Sequence, residues 1–176
     1  GTSLQMIILD PNSDYVRLSE VREGVDPAVA ADYAAAASSV AVWQNAADAT
    51  HPLQMQFIDL DPAAQAAIFG LDPIRDREEY AALAGILAVS EKGRPVVNGP
   101  DGLLSSENPD TRRLGLRAAN LGVLDWSIWS GGRGRSLVDE LESPTTRCLV
   151  VDLGSLGTHD EQRLVAGLRA HDQRDL

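Results

Sequence analysis

Two aspartates stand where α/β proteins usually carry out their chemistry. Asp10 ends the apolar run Met6-Ile7-Ile8-Leu9, and Asp152 ends Leu149-Val150-Val151. Ligands of open α/β sheets gather beyond the carboxyl ends of the strands. A carboxylate in that position can hold Mg2+ directly or through water, which is the loose form of a Walker B arrangement. An Asp at a strand end also simply caps the turn that follows, and for either residue taken alone that is the commoner role.

Nucleotide chemistry needs more than carboxylates. A P-loop, GxxxxGK(S/T), wraps phosphates in backbone amides and neutralises them with its lysine. The only lysine is Lys92, set in Ser-Glu-Lys-Gly-Arg, so the chain holds no P-loop. The stretch Gly131-Gly-Arg-Gly-Arg135 could offer amides and two arginines to an anion, but it lacks the strand before and the helix immediately after, and reads as a flexible linker. For contact with DNA the candidates are Arg133 and Arg135, or Arg112, Arg113 and Arg117 along one helix. Arginines among acids are more often solvated ion pairs worth ~0.2–1 kcal/mol.

Other chemistries find less support. Cys148 is the only cysteine, which excludes an internal disulfide; inside Cys-Leu-Val-Val-Asp it reads as a buried, inert thiol. His51, His159 and His171 show no metal-ligand spacing, so no metal site is expected. There is no GxSxG motif.

The elements that position these residues can be read from patterning. Residues 4–10 and 147–156 are predicted to be strands buried on both faces, as in a parallel sheet. Asp26-Pro27 opens a helix to about Ser39, and Val40–Gln44 suits a short strand. In residues 53–60, Leu53, Met55 and Phe57 alternate as in a half-buried strand. Asp61-Pro62 opens a helix to about Phe69, and Asp76 with Glu79 opens another to about Ser90. Residues 91–107 read as a long surface loop or insertion, and 130–135 as a flexible basic loop. Asn108-Pro109 begins a helix whose apolar positions include Leu114, Leu116, Leu121 and Leu124. Residues 136–142 form a short helix, and Thr158 with Glu161 caps the last one. Strands interleaved with helices make an α/β fold with a mostly parallel sheet and a helix-rich middle, expected as a single domain over residues 1–176.

The 176 residues are 44% apolar, 23% charged and 5% aromatic, ordinary for a globular chain. No apolar run approaches the ~18 residues of a membrane span, and no signal peptide is evident, so a cytoplasmic protein without membrane contact is expected. A net charge of −11 repels phosphate backbones and disfavours autonomous nucleic-acid binding. The opening Gly1, followed almost at once by a strand, reads as a segment of something longer.

Several blocks carry a family resemblance. LQMIILDPNSDYVRL, with its Asp-Pro and the acidic–aromatic pair Asp14-Tyr15, resembles the segment after the P-loop helix of HerA/FtsK-type ATPases. Residues 59–83, 114–129 and 147–165 are similar to later parts of that domain, the last to the strand and helix that precede the true Walker B strand. The resemblance therefore implies a RecA-like P-loop NTPase-type core, only part of which lies between the P-loop and Walker B. It implies ATP and Mg2+ as cofactors and hydrolysis coupled to DNA translocation in a homo-oligomeric ring. The chain itself is not expected to hydrolyse ATP alone. Asp10, Asp14 and Asp152 are the candidate cofactor-binding residues; by position Asp152 precedes the strand that bears the magnesium ligand. The other readings are a non-catalytic α/β module for protein association and an unrelated α/β enzyme using Asp10 or Asp152 as acid or base.

Overall fold

The computed structural model describes residues 5–90, 100–129, 135–142 and 145–168. The chain divides into two compact units, Gly1–Gln54 with Arg135–Leu176, and Met55–Gly134.

The first unit is an α/β layer built on a four-stranded sheet. Its strands are β1 (Met6–Asp10), β2 (Val40–Gln44), β3 (His51–Pro52) and β4 (Cys148–Asp152), in the order β1-β4-β2-β3. Every pairing is parallel. The last strand in sequence thus lies between the first two, and all five of its side chains are buried. Burying each of Leu149, Val150 and Val151 favours the fold by ~1.5–3 kcal/mol. Helix α1 (Pro27–Ala37) starts as the sequence predicts: the Asp26 carboxylate accepts from the N–H groups of Ala28 and Val29, and Pro27 occupies the first turn. In the reciprocal box at Thr158 and Glu161, hydroxyl and carboxylate each bond the other's backbone N–H, opening the final helix, His159–Gly167.

The second unit is helical. Helices α2 (Pro62–Ile68), α3 (Arg77–Ser90) and α4 (Pro109–Asn120) surround Phe57, Phe69, Leu83, Leu103 and Leu114, all buried. Gln65 is fully buried, and its amide donates to the carbonyls of Phe57 and Leu60, tying α2 to the turn before it. Helices α5 (Leu137–Glu142) and α6 (His159–Gly167) belong to the first unit.

Two expectations need correction. β1 is not buried on both faces: it is an edge strand, and Met6, Ile7 and Leu9 are exposed. Residues 53–60 do not form a strand. Leu53, Met55 and Phe57 are buried in alternation as predicted, but among the described residues the only pairing is an isolated bridge from Met55 to Trp129, and Phe57–Asp59 turns into a 3-10 helix. Alternation reports burial by turns, and an extended segment lying on a core satisfies it without a ladder. On α4 the buried face is Thr111, Leu114, Gly115 and Ala118, so Leu116 and Leu121 point outward. Of the predicted 91–107 loop, residues 91–99 lie outside the described residues; Pro100–Leu103 is a 3-10 turn anchored by the wholly buried Leu103.

Gly115 is where that turn meets α4. A Cβ there would stand 2.6 Å from the Leu104 nitrogen and 2.7 Å from the Leu103 carbonyl carbon, both backbone atoms that cannot swing away. Gly115→Ala should therefore cost about 1–3 kcal/mol. Gly85 of α3 has open space around its missing Cβ, and Gly85→Ala should stabilise by about 0.5–1 kcal/mol. Urea melts of the two variants test the pair: opposite signs are expected, and equal shifts would contradict the packing described.

Candidate functional site

Parallel register brings the two strand-ending aspartates together. Asp10 of β1 is paired with Asp152 of β4, and Gln44 ends β2 at the same level. Asp10 and Asp152 are buried, at 1% and 3% exposure. A buried carboxylate is tolerable only when hydrogen-bonded, and the residues after β1 supply the donors.

The chain folds back over the strand end. Asp10 Oδ1 accepts from the N–H of Asn12 (3.3 Å) and of Asp14 (3.0 Å), and Oδ2 from the N–H of Tyr15 (2.7 Å). Pro11, with no N–H to place, starts the turn. Ser13 takes a left-handed backbone conformation (φ 61°), costly for a residue with a side chain. Its hydroxyl donates to Asp152 Oδ1 at 2.7 Å, while the Gln44 amide donates to Oδ2 at 3.4 Å. Gly154 allows the close approach, since a Cβ there would stand 2.5 Å from Ser13 Oγ. Ser155 completes the edge: its hydroxyl donates to the Asp152 carbonyl (2.7 Å) and accepts from the N–H of Asn45 (2.9 Å).

Both strand-end carboxylates are held by the chain's own donors. Each carboxylate oxygen at the sheet edge is already engaged by an N–H or O–H of the chain. Among the described residues no group of three or more His, Cys, Asp or Glu side chains could hold a metal ion. Asp14 lies on the same loop with its side chain exposed, and its carboxylate has no partner among the described residues. The structure therefore brings Asp10 and Asp152 together, hangs Asp14 beside them, and uses the first two to shape the edge.

Arg135 sits elsewhere in the same unit, with Arg133 outside the described residues. Arg135 Nε donates to Glu140 Oε2 (2.9 Å), and its Nη2 to the Asp139 carbonyl (2.9 Å). Glu140 is 1% exposed. It also accepts from the N–H and hydroxyl of both Thr145 and Thr146, which lead into β4. Burial opposes its charge, but the Thr145 hydroxyl and N–H, the Arg135 guanidinium and the Thr146 N–H outweigh that and hold the carboxyl below its usual range. Burial raises the pKa of the Cys148 thiol, which agrees with an inert cysteine. In the other unit, Arg113 pairs with Glu78 and Asp110, and Arg117 holds Asp76 and the carbonyls of Phe69 and Gly70.

Sequence reading missed Ser13, Gln44, Ser155 and Glu140. Ser13 and Ser155 carry no signal beyond their place in turns. For the Glu140 cluster the one legible trace is Ser136-x-x-Asp139, whose hydroxyl and carboxylate bond each other's backbone N–H.

No helix among the described residues is long and apolar enough to cross a membrane.

A depressed carboxyl pKa contributes stability that is present above the unfolded value, about 4.3, and is lost as pH falls through the folded one. Glu140→Gln should thus destabilise by about 1–3 kcal/mol at neutral pH, with the gap to wild type closing as the pH drops below about 4. Denaturant melts at pH 7, 5 and 3 check this; a gap independent of pH would show that the charge contributes nothing. At the sheet edge, Gly154→Ala should loosen the Ser13–Asp152 bond and destabilise by about 1–3 kcal/mol in the same melts.

Comparison with protein-family models, with curated proteins and with solved structures finds no match to this chain.

Proposed function

We propose that the chain forms part of the α/β core of a HerA/FtsK-type ATPase and frames one flank of its nucleotide site. The observation that carries this reading is a parallel sheet whose adjacent strands end in step on Asp10 and Asp152, each within a block that resembles that family. The finer assignment, a RecA-like core, rests on the same blocks. On this reading ATP and Mg2+ are the cofactors of the complete site, with the phosphate cradle and the water-orienting acid contributed by residues other than these. Asp10 and Asp152 hold the edge in shape, and Asp14 is the acid of the three left to face a ligand. Work on DNA belongs to the assembled homo-oligomer. The net charge of −11 makes the isolated chain a poor DNA binder.

A second reading, a non-catalytic module for association, is favoured by one observation. Among the described residues, eight of the eleven exposed large apolar side chains fall between Met6 and Tyr33.

The two readings part on the flanking sequence. Under the first, the reading frame extended in both directions supplies GxxxxGK(S/T) upstream and four apolar residues followed by Asp-Glu downstream, and the longer protein hydrolyses ATP. Stop codons directly at both ends would contradict it. Both readings expect no Mg-ATP stabilisation of the 176-residue chain. A nucleotide at ~100 times its dissociation constant would add about 2.7 kcal/mol, so an upward thermal shift of that size would show that the chain binds nucleotide without a phosphate cradle.

A further inference from the structure

We draw no further inference here: the strongest candidate, the hollow between the loop after β1 and the first half of α1 that is lined by the exposed side chains of Tyr15, Val21, Val25 and Tyr33, carries nothing, because nothing in the structure shows what covers it.

Discussion

The first unit depends on the burial of one strand. β4 has no exposed side chain, so it needs a neighbour on each edge and cover on each face, and β1 and β2 supply the edges from the far end of the sequence. The pairing with β1 is parallel and in step, from Met6 opposite Cys148 to Asp10 opposite Asp152. The same register sets Asp10 beside Asp152. Two carboxylates brought out of water at one level need donors, and the fold-back of residues 11–15 with the hydroxyl of Ser13 meets that need. The left-handed backbone of Ser13 and the absence of a side chain at Gly154 follow from it.

The two ends of β4 are treated alike. At its carboxyl end the Asp152 carboxylate organises a loop from β1. Before its amino end the Glu140 carboxylate gathers Thr145, Thr146 and Arg135, and so ties α5 to the strand. In both places a charge is spent on backbone and hydroxyl donors. These acids organise the loops at both ends of the strand.

Much of this was legible in the sequence where a single local signal sufficed. Asp-Pro at 26–27 and 61–62, Asn-Pro at 108–109 and the Thr158–Glu161 box each mark a helix start that the structure shows. The buried run of β4 and the alternation of Leu53, Met55 and Phe57 were also readable. The errors share one cause: a sequence states how apolar a segment is, and only the fold decides what covers it. Met6-Ile7-Ile8-Leu9 and Leu149-Val150-Val151 look alike, yet one became an edge and the other the centre. The donors around Asp10 and Asp152 were invisible because backbone N–H groups have no sequence signature, and Ser13 is 139 residues from its acceptor.

The central claim is that Asp10 is engaged in holding the loop at the carboxyl edge of the sheet. Native-state hydrogen exchange of the amides of Asn12, Asp14 and Tyr15, in wild type and in Asp10→Ala, tests it most directly. These three amides should be protected in the wild type and become fast in Asp10→Ala, while the amides of Leu149 and Val150 keep their protection. Amides that exchange freely in the wild type, or whose protection survives Asp10→Ala, would contradict the account and leave the Asp10 carboxylate available for chemistry.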